Sequence, residues 1–111
     1  MEHLVRPLQP YAAEAVALLG AIIRNNRIQA RQTVAELASR AGISRGTLQR
    51  IERGDPGVSI GTVFEVCALQ KISLFDLELK GIQDRLHQER RIQHLIPKSA
   101  RKPHIEVLDD F

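Results

Sequence analysis

The feature of the sequence that most limits its possible folds is a three-residue connection, from Gly42 to Ser44, between two short segments of helical pattern. Before this connection, Thr33 and Glu36 have the spacing of a capping box, in which each side chain bonds the free backbone N–H of the other residue. Gly42 can adopt the left-handed conformation that ends a helix, and Ser44 is a favourable N-cap for the next one. The pattern predicts two helices joined by a tight turn, a helix-turn-helix at about residues 33–54.

Apolar residues at helical spacing predict further helices on both sides of this turn. A first helix is expected from Tyr11 to about Ala30. A fourth helix is expected to begin after Ser59, with four apolar residues on its inner face: Ile60, Val63, Phe64 and Cys67. A short fifth helix is expected to open at Ser73 and to carry three apolar residues: Leu74, Phe75 and Leu77. Beyond Gly81 the pattern weakens, although Ile82 and Leu86 could mark a final helix.

These expectations define an all-α chain with a five-helix domain and three segments along the sequence. We predict a leader at residues 1–10, a helix-turn-helix domain at residues 11–80 and a C-terminal extension at residues 81–111. Prolines interrupt the extension, which we therefore expect to be helical in part or to form a flexible basic arm. Residues 104–108 alternate loosely in polarity and could form a short strand if a partner supplied the other edge.

Positive charge is concentrated in two parts of the chain, although the formal net charge is only +3. From Arg24 to Arg53 there are seven arginines and two acidic residues. A second basic run consists of six residues: Arg85, Arg90, Arg91, Lys98, Arg101 and Lys102. An arginine-rich surface suits a polyphosphate partner, because each neutralised phosphate releases counterions. A charge run alone fits a solvated surface equally well, so the prediction of DNA binding depends on the helix-turn-helix.

The composition argues against several other classes of protein. Cys67 is the only cysteine, so it cannot form an internal disulfide, which suits a reducing cytoplasm. The longest apolar stretch is too short to span a membrane, and the N-terminus lacks a secretion-signal pattern. The spacing of the four histidines fits no metal-ligand pattern, and no nucleophile motif or phosphate-binding glycine loop occurs. We expect a cytoplasmic protein that is not an enzyme and uses no metal or cofactor.

The third helix is predicted to have a buried face and a DNA-facing face, because a helix advances about 100° per residue. Its inner face carries Thr47, Leu48 and Ile51. We predict that four outer residues form the base-reading surface: Arg45, Gly46, Gln49 and Arg50. Arginine can bind guanine through two hydrogen bonds, and glutamine can do the same to adenine. Gly46 has no reading side chain, so it either lets the helix approach the duplex closely or is simply tolerated.

Other polar residues are assigned to phosphate contacts and to the frame of the domain. Four are predicted to contact DNA phosphates: Thr33, Ser44, Thr47 and Arg53. Glu52 is expected beside Leu48 at the edge of the core, where an unpaired carboxylate would be costly. Arg27, near the end of the first helix, is its expected partner. We therefore interpret Arg27 and Glu52 as a structural ion pair.

The run from Thr33 to Gly54 resembles the helix-turn-helix of the lambda-repressor/Cro (xenobiotic-response-element) family. The stretch from about Leu19 to Leu77 is similar to the five-helix domain of that family. The resemblance implies a homodimer that places two third helices in successive major grooves of a near-palindromic operator. The family often has glutamine, bound to phosphate, at the start of the second helix, where this chain has Val34.

A narrower resemblance is to HipB-like antitoxins. It is carried by the segments Arg50–Val63, Leu95–Lys98 and Asp109–Phe111, with a small departure at Gln70-Lys71, where relatives commonly have a glycine-containing turn. This resemblance implies a partner, a HipA-like serine/threonine kinase toxin, and repression of a shared operon. Two alternatives remain open: a stand-alone dimeric regulator without a toxin, and an interaction adaptor that has lost DNA binding. The dimer surface could involve apolar positions from Val58 to Leu79 or the segment at residues 104–108.

Overall fold

A computed structural model of the chain describes residues 7–97. These residues form five helices and no extended strand: α1 (Pro10–Gln29), α2 (Val34–Ala41), α3 (Arg45–Glu52), α4 (Ile60–Leu69) and α5 (Leu79–Gln93). The prediction of an all-α fold with a helix-turn-helix domain is confirmed for these residues. The chain divides into two compact units, the first ending at Leu74 with α1 to α4, and the second beginning at Phe75 with α5.

The predicted start and stop signals of α2 and α3 are present. The Thr33 hydroxyl accepts a hydrogen bond of 3.0 Å from the Glu36 N–H, and the Glu36 carboxylate accepts one of 2.8 Å from the Thr33 N–H. Gly42 ends α2 with a left-handed φ of 69°. Ser44 caps α3 by accepting a hydrogen bond from the Thr47 N–H. These caps fix where both helices begin and where α2 ends.

The core of the first unit is built from the apolar faces of its four helices. Seven side chains are buried: Ile23, Leu37, Ala38, Leu48, Ile51, Val66 and Cys67. Burial raises the pKa of the Cys67 thiol, which fits the predicted role of a small core residue. Burial of a large aliphatic side chain is worth roughly 1.5–3 kcal/mol. The packing therefore fixes α3 by one face and leaves the opposite face exposed.

The backbones of α1 and α3 approach each other closely where α3 ends. A Cβ atom on Gly20 would overlap the carbonyl oxygen of Ile51 and lie 3.0 Å from the carbonyl oxygen of Glu52. Gly54, with a φ of 80°, has the same restriction, since a Cβ there would lie 2.9 Å from the Cα of Ala17. Both positions need glycine, because the atoms that a Cβ would meet belong to the main chain or, in Ala17, also to a Cβ, and none of them can move aside easily.

The predicted inner face of α4 is partly wrong. Ile60 is 69% exposed, whereas Val66, which was not predicted, is fully buried beside Cys67. Ile60 is the first residue after the Ser59 cap, so it lies at the open end of the helix. Val63 and Phe64 are half-buried. The buried stripe begins one turn later than the sequence pattern indicated.

The short helix predicted to open at Ser73 is wrong. Phe75 and Asp76 have left-handed φ values of 58° and 56°, and two such residues in succession cannot continue a right-handed helix. The fifth helix is instead α5, in the region where Ile82 and Leu86 had only suggested one. Lys71 also has a left-handed φ, 59°, although it replaces the glycine-containing turn of the HipB-like pattern.

The second unit is a polar helix with several exposed apolar side chains. Two ion pairs of i,i+4 spacing run along α5, Lys80–Asp84 and Arg85–Glu89, each 2.9 Å long. None of its residues is buried, and Leu79 is 71% exposed. Such exposed pairs add only a few tenths of a kcal/mol each, about 0.3–0.5.

Several predicted segments lie outside the described residues. They are the start of the leader, the basic residues from Lys98 to Lys102, residues 104–108 and Asp109–Phe111. Within residues 7–97, no helix is long and apolar enough to cross a membrane. In the same part of the chain, no cluster of histidine, cysteine or acidic side chains has the composition of a metal site.

Candidate nucleic-acid interface

The structure brings the predicted base-reading residues together on the exposed face of α3. Leu48 is fully buried and Ile51 is 4% exposed, which anchors the inner face of the helix. On the opposite face Arg45, Gly46 and Gln49 are exposed. This face carries positive charge and amide donors, and nothing in the first unit covers it.

Gly46 is not required by the fold. A Cβ atom at this position would have Ser44 Oγ, 3.8 Å away, as its nearest neighbour, which is ordinary van der Waals contact. Gly46 also has no left-handed φ. The reason for glycine here therefore does not lie in the packing or backbone of this unit.

Arg50 lies on the same face but is not free. Its Nε donates a hydrogen bond of 2.8 Å to Oδ2 of Asp55, in the turn after α3. The Arg50 side chain remains 43% exposed. The neighbouring Arg50 guanidinium lowers the pKa of the Asp55 carboxyl, and the Gly57 N–H adds to the effect. Asp55 was not assigned any role from the sequence.

The predicted phosphate-contacting residues lie at the starts of α2 and α3. Thr33 uses its hydroxyl oxygen as a cap acceptor, and the side chain is exposed. Ser44 and Thr47 share a hydrogen bond of 3.0 Å between their hydroxyls, so one hydroxyl hydrogen of the two remains for another acceptor. Arg53 is exposed just past the end of α3. Ser44 and Thr47 therefore lie at the start of α3 and Arg53 at its end, whereas Thr33 lies at the start of α2.

Arg27 and Glu52 form a two-point ion pair that ties α1 to α3. Arg27 Nε and Nη2 donate to the two carboxylate oxygens at 2.8 and 3.1 Å. The side chains are 11% and 6% exposed, so the ion pair is largely excluded from solvent. The hydrogen bonding of Arg27 to the Glu52 carboxylate, which accepts, raises the pKa of Arg27. Arg27 Nη1 also donates to the carbonyl of Gln32 at 3.0 Å, which connects the pair to the loop before α2.

A shallow cleft beside this pair contains a residue that the sequence argument missed. Arg24 lines the cleft together with Val34, Gln49 and Arg53. The spacing of Arg24 and Arg27, three residues apart on a helix, placed both on one side of α1. Only the structure shows that this side meets the start of α2, where Val34 replaces the glutamine of the lambda-repressor pattern.

The missed role of Asp55 had a partial signal in the sequence. In an Asp55-Pro56-Gly57 turn, the aspartate side chain commonly accepts the backbone N–H two residues later. The structure contains this bond, from the Gly57 N–H to Oδ1 at 2.7 Å. The hydrogen bond between Arg50 and Asp55 depends on the direction that the chain takes at Gly54, after α3. Residue spacing does not specify that direction.

The fold and this exposed face define a helix-turn-helix domain. Residues 18–71 match the family model described as a helix-turn-helix domain. No curated protein and no solved structure matches the chain. The matched segment begins within α1 and ends just after α4. Because the helix-turn-helix is a DNA-binding module, the match over these residues supports DNA binding and suggests a regulator.

Proposed function

We propose that the protein is a sequence-specific transcriptional repressor that binds a near-palindromic operator as a homodimer. Each protomer would place α3 in a major groove, since the groove is wide enough to admit a helix. The observation that carries this proposal is the division of α3 into a buried apolar face and an exposed face with Arg45, Gln49 and Arg50. Repression follows from occupancy, and no chemical step is involved.

In this proposal three side chains read bases, and one glycine allows α3 to lie close enough to the duplex for them to contact the bases. The two arginines are suited to guanine and Gln49 to adenine, and each good pair supplies roughly 1–3 kcal/mol of discrimination. Gly46 lies between them, on open surface. A side chain at this position would stand between α3 and the duplex, so we assign Gly46 to close approach.

Phosphate contacts would come from the residues around this face. We assign Thr33, Ser44, Thr47 and Arg53 to contacts with the DNA backbone. Arg24 lies in the same cleft as Val34. It would supply a phosphate contact in place of the glutamine that the lambda-repressor pattern has at the position of Val34. In a plot of the logarithm of the binding constant against the logarithm of the salt concentration, each neutralised phosphate should make the slope more negative by about 0.9.

Exposed apolar side chains support self-association through the range Val58–Leu79. Three large ones lie in this range: Ile60 is 69%, Phe75 is 75% and Leu79 is 71% exposed. Large exposed apolar side chains often mark protein interaction surfaces. The segment at residues 104–108 remains the other candidate for the dimer contact.

The finer proposal is that the protein is the antitoxin of a HipA-like serine/threonine kinase toxin and represses their shared operon. Its support is the resemblance of the segments Arg50–Val63, Leu95–Lys98 and Asp109–Phe111 to HipB-like antitoxins. The test is co-purification from the native operon. Deletion of residues 97–111 should reduce capture of the kinase more than it reduces dimer formation. An unchanged pull-down would argue against the tail as a docking element, and a dimer that purifies alone would favour the stand-alone regulator.

The test of DNA binding is a triple variant, Arg45→Ala, Gln49→Ala and Arg50→Ala. Because Arg45 and Gln49 are exposed and Arg50 makes only a half-exposed ion pair, the variant should keep its helical circular dichroism spectrum but lose specific binding in a gel shift. The matched control replaces Gln88, Arg90 and Arg91, two arginines and one glutamine that are exposed on α5. The DNA is a duplex enriched by the wild-type protein from a random pool. Normal specific binding by the α3 variant would overturn the proposal.

A further inference from the structure

The turn after α3 fixes the side chain of Arg50. Arg50 Nε donates to Oδ2 of Asp55 at 2.8 Å. The other oxygen of this carboxylate, Oδ1, accepts the backbone N–H of Gly57 at 2.7 Å. Asp55 is therefore held by the backbone through one oxygen and holds Arg50 through the other.

This arrangement leaves the terminal edge of the guanidinium available. An arginine has five N–H donors, of which Asp55 takes the one on Nε, so those on Nη1 and Nη2 remain. Two adjacent donors are what the O6 and N7 atoms of guanine accept in the major groove. The bond to Asp55 restricts the rotamers of Arg50 without using the edge that recognises a base.

The charge of Asp55 is also compatible with a position near DNA. Both carboxylate oxygens accept hydrogen bonds, and the Arg50 cation lies directly against one of them. Arg53 adds positive charge nearby and, with Arg50, favours the ionised carboxylate. An unpaired carboxylate would repel the DNA phosphates. The Arg50–Asp55 pair carries no net charge, so this repulsion is absent.

Gly57 completes the site by leaving room for the guanidinium. A Cβ atom on Gly57 would lie 3.0 Å from Arg50 Nη2 and 3.1 Å from Asp55 Oδ1. Nη2 is the far end of a flexible side chain, so it could move aside at little cost in stability. Glycine at this position thus keeps Arg50 where Asp55 places it.

We propose that Asp55 is a positioning residue for sequence reading, which orients the Arg50 guanidinium so that its two terminal nitrogens meet a guanine of the operator. The proposal rests on the proposed function, because it requires Arg50 to read a base. It adds that specificity at one operator position depends on a residue of the turn that touches no base. A residue that only braced the turn would affect binding to all sequences by the same factor.

The magnitude follows from the freedom that Asp55 removes. Arg50 is expected to discriminate guanine from other bases by about 5- to 150-fold. Ordering one long side chain on binding costs a factor of about 2 to 12 in affinity. Asp55→Ala should therefore reduce discrimination at the Arg50 position by about 2- to 12-fold, and Arg50→Ala should abolish it.

The experiment sequences the duplexes that each variant enriches from a random pool, with sites of roughly 20 base pairs to span two half-sites. The variants are wild type, Arg50→Ala, Asp55→Ala and Gly57→Ala. The position at which Arg50→Ala loses its preference identifies the base pair that Arg50 reads. The matched control is Asp84→Ala, which removes the same charge from an exposed ion pair of 2.9 Å on α5.

The proposal predicts that Asp55→Ala and Gly57→Ala weaken the preference at the Arg50 position and at no other, while Asp84→Ala leaves the whole profile unchanged. It is overturned if Asp55→Ala retains the wild-type preference there, or if its affinity falls evenly for all sequences. If Asp55→Ala does not fold, Gly57→Ala decides the question, since it keeps every charge. Failure of the proposed function looks different, because the wild-type protein would then enrich no sequence at all.

Discussion

Replacement of Gly20 by alanine tests whether the backbone contact between α1 and α3 sets the position of α3. Gly20 lies inside α1, where alanine is intrinsically the better helix former by about 1 kcal/mol. If helix propensity decided the outcome, the variant would be more stable than wild type. The structure predicts the opposite, because the added methyl group would overlap the Ile51 carbonyl oxygen.

The expected cost can be estimated from the atoms that the methyl group would meet. They are the carbonyl oxygens of Ile51 and Glu52 and the carbonyl carbon of Glu52, all main-chain atoms at the end of α3. Overpacking a well-filled interior costs about 1–3 kcal/mol, and main-chain obstacles place this case in the upper part of that range. After subtraction of the helix-propensity gain, Gly20→Ala should destabilise the domain by about 2 kcal/mol. For a domain of this size the melting temperature should fall by roughly 8–16 °C.

The assay is thermal unfolding followed by far-ultraviolet circular dichroism, with urea unfolding as a second measure. The control is Gly61→Ala, in the first turn of α4, where a Cβ atom would meet nothing within 4 Å. The control should be unchanged or more stable, by no more than about 1 kcal/mol. If Gly20→Ala were as stable as the control, the close approach of α1 to α3 would be wrong.

Three further predictions use other parts of the first unit. Gly46→Ala should stabilise the domain by up to about 1 kcal/mol yet weaken operator binding in a gel shift, whereas Gly61→Ala, at the same position after a serine cap, should leave binding intact. Glu52→Ala should cost about 3–5 kcal/mol in urea unfolding, and replacing Glu52 and Arg27 together by methionine should recover most of this loss; an equal loss in the double variant would refute the ion-pair argument. Asp55 has a pKa below its ordinary value of about 3.9, so its contribution to stability is complete above that pH and is lost as the pH falls through the lower pKa of the folded state. Asp55→Ala should therefore lose less stability than wild type on acidification below about pH 4, and a pH series of unfolding curves would reveal an unchanged slope if this is wrong.

The features that sequence predicts best are those decided within one turn of helix. The capping box of Thr33 and Glu36, the left-handed Gly42 and the Ser44 cap each depend on residues at most three apart, and all are present in the structure. The two faces of α3 follow from the same local periodicity. Local hydrogen bonds and spacing therefore suffice for the frame of the helix-turn-helix.

The features that sequence did not predict depend on which elements meet. The need for glycine at position 20 arises from a contact with Ile51, thirty-one positions away in the chain. The apolar run of Leu74, Phe75 and Leu77 resembled a helix, but left-handed conformations at Phe75 and Asp76 interrupt it. Aspartate adopts this conformation more often than most residues, but phenylalanine rarely does, and apolar spacing alone cannot detect it.

The candidate site shows the same division. Helical periodicity sufficed to place Arg45, Gln49 and Arg50 on one face of α3, and their role in reading bases stays a prediction. Periodicity did not place Arg24 and Asp55 beside that face, since one comes from another helix and the other from a turn whose direction Gly54 sets. Sequence therefore predicts which residues share the exposed face of α3 and misses the neighbours that other elements bring beside it.

The main-chain contact at Gly20 has a consequence for how the protein can change its target. Because α3 is held by backbone atoms and by buried side chains, the exposed side chains of Arg45 and Gln49 take no part in holding it. Arg45 and Gln49 can then be exchanged for other residues without disturbing the frame, so under the proposed function new operators would be accessible by single steps. Arg50 is the exception, since a new residue there would leave Asp55 without its partner, and these two positions should change together.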